Sequence, residues 1–497
     1  MSKKVEESLE KTSFFLLCLI LFDCAALGGG TIIELFGIGI RMVLYGLFFL
    51  ASLPSVLKNF KGLMANGYFL LLLAWIVWQI ISTIRGIDAG NSISSIVASW
   101  IGFASFGLLP GTICVLNSQG RVRNLMKVLT AAAFFLALQS IAVLLVYNLC
   151  DLEVFMDLNL YMIREELGGC TGVNDMVVRV FFRSHPLMVA GCVCSLFFSM
   201  VEEKKWLRLM HCGSIALCLF SLLISYTRSI YLCAFVAVAV VIVAVSVATK
   251  KNMVRRMGKS VLTVLASFLV LLAVCDVLAG TEYLCYGIYR TVGVDVLNKV
   301  EVRLGMPDGH LGGGYDLDLD TEPAESSVTD ESTETETTVP SKTNAIAVEE
   351  YDHSVNVNIW SDNIRVATVQ ELYARIGEHP IIGSGMGASL EVRAGLDGNN
   401  EYFYLDQAFK TGIVGITLYM APMILMLILF LTNMREMEQE NVLICAMWLA
   451  GFAGIAAFSA LNPYLNGSNG IVLYCCTIGV FSALNKKKQI LLKCKLK

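Results

Sequence analysis

The chain has 497 residues, 56% of them hydrophobic and only 16% charged, with a formal net charge of −4 and a mean hydropathy of +0.67. Soluble domains carry about 25% charged residues, so this composition excludes a soluble globular protein and sends much of the surface into lipid. The net charge says little by itself; membrane lipids are expected partners and nucleic acid is not.

Apolar runs of bilayer-spanning length, about 17–25 residues each, occur near 13–29, 31–53, 67–84, 96–117, 125–148, 184–201, 206–225, 227–249, 259–280, 407–431, 441–461 and 468–485. The expected fold is an all-α polytopic membrane protein with about 12 transmembrane helices. The N-terminal MSKKVEESLEK runs into the first span with no small-residue cleavage site, which reads as an uncleaved helix. Of the 16 cysteines, most lie inside apolar runs and act as small hydrophobes. Cys150 and Cys170 fall in one outer loop, where a bridge between them is open but not required.

Lys and Arg in the short connections set orientation. Lys58 and Lys61, then Arg121, Arg123 and Lys127, then Lys204, Lys205 and Arg208, then Lys250 to Lys259, and finally the tail from Lys486 to Lys497 fall on the side of Lys3 and Lys4. Both termini are therefore expected in the cytoplasm. The chain then divides into helices 1–9 (1–280), one large extracytoplasmic loop between helices 9 and 10 (281–406), and helices 10–12 with a basic tail (407–497). Within the loop, 308–350 is an acidic, Ser/Thr-rich tract too poor in apolar residues to fold, while 359–406 regains helical periodicity.

Several loop features invite chemistry. Asp316, Asp318 and Asp320 form a DxDxD string, but Thr321 and Ser327 stand where a calcium loop needs Gly and Glu, so the string reads as a solvated spacer and no metal is expected. Gly383-Ser384-Gly385-Met386-Gly387 follows a helix and could cradle a phosphate on its amides, or simply turn the chain; no Lys-Ser/Thr follows to make it a nucleotide loop. His379 before Pro380 reads as a turn residue. Arg228, in SYTRSIYL, sits at the outer end of an apolar hairpin, either snorkelling or aimed at a diphosphate. Arg179, Arg183, Arg365 and Arg375 join it on the same outer face, against the usual bias of basic residues. An anionic ligand explains that surplus. Glu401 and Asp406, at the mouth of the tenth span, are the candidate general bases.

These residues resemble the O-antigen ligase/polymerase superfamily of bacterial surface-polysaccharide enzymes. The likeness rests on Arg365, on Glu378-His379-Pro380-Ile381-Ile382-Gly383-Ser384-Gly385-Met386-Gly387, on Asn400-Glu401-Tyr402 and on Gly412-Ile413-Val414-Gly415. Thr227-Arg228-Ser229 and Arg183-Ser184-His185-Pro186 extend it upstream, so that about 180–430 is covered. The resemblance implies a GT-C-like membrane glycosyltransferase with no metal or other cofactor, acting on an undecaprenyl-diphosphate-linked oligosaccharide and an acceptor glycan or glycolipid. It further implies an inverting transfer in which Glu401 or Asp406 deprotonates the acceptor. Arg228, Arg365 and Arg183 would hold the diphosphate, and Gly383, Gly385, Gly387 and Asn400 would contact substrate. Aligned back from Gly412, Glu401 stands where ligases of the family carry His, which favours the polymerase branch. A polysaccharide flippase or other multi-span transporter is the alternative; it should show internal repeats and polar residues at mid-membrane.

Overall fold

The computed structural model describes residues 3–28, 34–35, 38–172, 178–248, 251–279, 353–393 and 400–484. The acidic tract 308–350, with Asp316, Asp318 and Asp320, and the basic tail after 484 lie outside the described residues.

The described chain is helical apart from two short hairpins. Helix α1 (Lys3–Phe22) runs into a π turn over Asp23–Leu27, and strands β1 (Glu34–Leu35) and β2 (Ile38–Gly39) pair ahead of α2 (Ile40–Lys58). The expected span at 31–53 thus starts later: Gly28 takes φ 73° and closes the first helix, and the hairpin occupies the next residues. After the single turn α3 (Phe60–Leu63) come α4 (Gly67–Asp88), α5 (Ile93–Phe103) and α6 (Leu109–Val115), the last two joined by a 3₁₀ turn over Ala104–Leu108. Asn66 caps α4 by accepting from the amides of Tyr68 and Phe69. Helices α7 (Gln119–Leu149) and α8 (Leu152–Arg164) lead to the antiparallel pair β3 (Gly168–Gly172) and β4 (Val178–Phe182). The series α9 (His185–Val201), α10 (Lys205–Ile224), α11 (Arg228–Ala248) and α12 (Lys251–Ala279) follows, then α13 (His353–Glu378), α14 (Phe403–Asn433), α15 (Gln439–Ser459) and α16 (Ser468–Leu484).

Among the described residues 8 helices are long and apolar enough to cross a membrane, and α9 and α16 are shorter apolar helices. The protein is therefore a helical, multi-span membrane protein. Helix α15 is the most enclosed of the eight. Small residues let it sit close to its neighbours: Gly451 lies against Ala190 of α9, and Gly454 against the Cys233 carbonyl of α11. An aromatic cluster of Trp75, Phe103, Phe106, Tyr419 and Tyr474, packed mostly edge to face, ties α4, α5, α14 and α16 together.

The two ends of the bundle differ. One end gathers Glu6, Glu10, Lys58, Arg121, Arg123 and Glu440 into ion pairs. The other carries the β3–β4 hairpin, the 380–393 segment and the 460–467 turn, and is called the loop end below.

The cysteine bridge is not formed; Cys150 and Cys170 are both free thiols. Cys150 is exposed at the end of α7, whereas Cys170 is buried under α8 with its Sγ 4.0 Å from Met162 Sδ. Burial pushes the Cys170 thiol up to about 12. At pH 8, maleimide labelling of the native protein should therefore modify Cys150 quickly and Cys170 only after unfolding, as read by peptide mass; equal rates would contradict this arrangement.

Candidate functional site

The expected Gly-rich turn does something other than bind phosphate. Helix α14 is broken at Gly412, whose φ of 68° and ψ of −176° are open essentially to glycine alone. The break parts the carbonyls of Phe409 and Lys410 from the amides of Ile413 and Val414, which a continuous helix would pair. The 380–385 segment takes their place. Ser384 N donates to Phe409 O at 2.8 Å and Gly385 N to Lys410 O at 3.0 Å, while Ile413 N donates to Pro380 O at 2.9 Å and Val414 N to Ile381 O at 3.4 Å. Trp78 Nε1 caps the Thr411 carbonyl at 2.8 Å. This corrects the phosphate-cradle expectation for Gly383 and Gly385. The Gly383 amide goes to His379 O, those of Ser384 and Gly385 into the splice, and that of Met386 to Ser82 O. A Cβ at Gly385 would lie 2.5 Å from Gly86 N, so this glycine serves a close approach of the turn to α4. Gly387 packs on Ile96 in the same way.

The splice places the first turns of α14 beside one of two adjoining cavities at the loop end. One, of about 330 Å³, is lined by Asp406, Gln407, Lys410, Ser99, Phe103 and Asn466, among others. The other, of about 390 Å³, is lined by Arg41, Arg183, Phe181, Asn462, Tyr464 and Asn469, among others. Glu166, Pro463 and Gly467 line both.

In the first cavity Asp406 is fully buried. Its Oδ2 accepts from Lys410 Nζ at 2.9 Å and its Oδ1 from Asn400 Nδ2 at 2.7 Å. Lys410, one turn on, is 1% exposed, and such a pair survives burial only because each charge answers the other. Asn400 therefore positions Asp406 rather than reaching into the cavity from its own side. In the second cavity Arg41 is buried; Nε donates to Asp23 at 2.6 Å, Nη1 to Ser468 and Asn469, and Nη2 to Gly28 O. Arg183 is half-exposed and pairs with Glu166 at 2.7 Å.

The remaining expected residues lie around this pair of cavities. Glu401 is held between two guanidinium groups, Arg365 Nε and Arg393 Nη2, each at 3.1 Å from a different carboxylate oxygen. Neither Arg365 nor Glu401 lines either cavity. Arg375 is committed to Glu371, Glu378 and Glu391, and Glu371 accepts from the amides of Glu391 and Val392, so these residues fasten the 390–393 segment to α13. Arg179 holds the α10–α11 turn through Ser225 O and Thr227 Oγ1. Arg228 is exposed at the start of α11, next to Ser229, whose hydroxyl accepts from the cavity residue Asn462. The single meeting place expected for Arg183, Arg228, Arg365 and Glu401 thus separates: Arg183 faces a cavity, Arg228 flanks it, and Arg365 with Glu401 forms an ion-pair group beyond Asn400. His185 is sealed in the bundle. Its Nδ1 accepts from Phe182 N, so the proton sits on Nε2, within reach of Ser221 and Ser140.

Three members of the site escape the motifs: Arg41, Lys410 and Gln407. Two carried a usable signal. Asp23 and Arg41 are opposite charges inside consecutive apolar runs, and Asp406 and Lys410 are opposite charges four residues apart at the start of a span. Gln407 carried none. The chain matches no protein-family model and no curated protein.

Proposed function

We propose that the protein is a membrane glycosyltransferase that polymerises, or less favourably ligates, undecaprenyl-diphosphate-linked glycans, with its loop end facing out of the cytoplasmic membrane and both termini inside. One observation carries this reading: a cavity bearing Arg41 and Arg183 adjoins a cavity bearing a buried aspartate. Guanidinium forks match phosphate oxygens, and a carboxylate beside them can take a proton from an attacking hydroxyl. Asp406 is the preferred base because it lines a cavity and Glu401 does not.

In the proposed step Asp406 removes the acceptor hydroxyl proton, and the oxygen forms a bond to the anomeric carbon. The bond from that carbon to the diphosphate oxygen breaks, and undecaprenyl diphosphate leaves with the electron pair, held by Arg183 with Arg41. Arg228 and Arg365 are assigned to approach of the charged head from either flank. The transporter alternative draws on the broken helix, a feature of transport sites, but at this break the backbone groups of residues 409–411, 413 and 414 are taken up by residues 380–385 and Trp78.

Arg183→Ala should lower polymer formation by about 100-fold, the effect of removing one electrostatic contact to a developing charge. Membranes supplied with lipid-linked repeat units provide the assay, with the amount of folded protein as control. Arg183 is half-exposed, so folding should survive. Undiminished polymer at equal protein would sink the transferase reading.

A further inference from the structure

Helix α8 has 13 residues and so extends about 20 Å, too short to cross the roughly 30 Å of bilayer hydrocarbon. It begins just after the α7 span ends, behind the extended Cys150 and Asp151. Phe155 packs edge-on against Tyr147 of α7, with ring centroids 4.9 Å apart. Helix α8 therefore starts at the loop end beside the last turns of a membrane helix.

Its surface divides into faces. Leu152, Met156, Leu160 and Ile163 fall within about 80° of arc at 3.6 residues per turn, and they are 47–70% exposed. The exposed Glu153, Asp157 and Arg164 border this stripe. Phe155 and Met162 form a separate, buried face. Val154 and Tyr161, beyond the charged border, are exposed apolar residues of the ordinary scattered kind. The stripe continues the lipid-facing surface of α7, where Leu145 and Leu149 are exposed. That continuity identifies the occupant as lipid rather than a protein partner. We infer that α8 lies in the membrane interface on the loop side, with its apolar stripe sunk into the boundary between headgroups and acyl chains. The charged border holds two carboxylates against one guanidinium, and Arg164 pairs with Glu165 at 3.0 Å. Attachment thus rests on apolar burial and not on attraction to anionic lipid.

This helix is fastened directly to the residues that line the cavities. Asn159 Nδ2 donates to Cys170 O at 3.0 Å, and its Oδ1 accepts from Cys170 N at 2.7 Å. Leu167 N donates to Met162 O at 2.9 Å, and Leu167 O accepts from Arg183 N at 2.8 Å. Glu166, at φ 54°, turns the chain between them. With α8 in the interface, the Glu166–Arg183 pair stands near headgroup depth, the level at which a membrane lipid carries its phosphates. This consequence rests on the transferase reading; the docking of α8 does not.

The test places nitroxide labels on the full-length chain at Met156→Cys and Leu160→Cys, and at Glu153→Cys and Asp157→Cys, in a Cys150→Ser parent whose residual spectrum is subtracted. In phosphatidylcholine nanodiscs, labels at 156 and 160 should be relaxed more by oxygen than by a water-soluble nickel chelate, at a depth of about 5–10 Å. Labels at 153 and 157 should show the reverse. All four positions are exposed, so folding should survive, with size exclusion as the check. Nickel access at 156 and 160 equal to that at 153 and 157 would mean that the stripe faces water and would overturn the inference. Immobile labels shielded from both reagents would mean that protein covers the stripe, which would overturn it equally. Because no transfer is measured, undiminished polymer from Arg183→Ala would remove the transferase reading and leave a lipid-embedded α8 standing, and the opposite pair of results would do the reverse.

Discussion

The double variant Asp406→Asn with Lys410→Met is expected to fold about as well as the parent and to make no polymer. The two charges lie 2.9 Å apart with side chains 0% and 2% exposed. Removing one alone strands the other: Lys410→Met leaves a buried carboxylate, and Asp406→Asn leaves a buried ammonium. Either single change should lower stability by about 3–5 kcal/mol, whereas replacing both removes the uncompensated charge and is often neutral. Activity should not follow stability. With asparagine at 406 the carboxylate assigned to take the hydroxyl proton is gone, and the rate should fall by about 10²–10⁴-fold, the usual share of a general base. Thermal unfolding in detergent, run beside polymer formation, separates the two effects. A double variant that is stable and fully active would remove Asp406 from the chemistry and return attention to Glu401.

Gly412→Ala should be the most damaging single substitution, abolishing folded protein rather than activity alone. A Cβ there would lie 2.2 Å from Ile381 O and 2.4 Å from Ile381 C, backbone atoms that cannot swing aside. The conformation itself costs a non-glycine residue about 1–3 kcal/mol. Displacing the 380–385 segment would also expose carbonyls and amides at the edge of the membrane, where each unsatisfied group costs several kcal/mol. The sum exceeds the roughly 4–5 kcal/mol that marks an exceptional point mutation. Gly46→Ala in α2 is the control. A Cβ there meets nothing within 4 Å, and alanine should gain about 0.5–1 kcal/mol in a helix interior. Folded yield by size exclusion, compared for the two variants, tests the pair; equal yields would mean that the break at Gly412 carries no such constraint.

The turn and the broken helix also couple distant parts of the chain. Residues 380–386 join α13 to both α14 and α4 through backbone hydrogen bonds. The Arg365–Glu401–Arg393 group and the Arg375 pairs anchor the same region. Arginines that looked like ligands for an anion are, in good part, the fastenings of this arm.

Read alone, the amino-acid sequence determined the class of the protein and the approximate place of most helices, because lipid solvation leaves a spanning backbone few options and writes long apolar runs into the chain. It also marked the 378–415 stretch and the outer arginines as unusual, since polar groups at a bilayer edge need partners. Which partners they found was decided only in three dimensions. The amides of Gly383 and Gly385 meet α14 because Gly412 breaks it, a matter of one backbone dihedral that no local pattern announces. Arg41 reaches Asn469 across 428 positions, and Gln407 reaches Asn466 across 59. Apolar periodicity records which residues leave water; it does not record which buried polar groups answer one another, because that depends on how the helices pack.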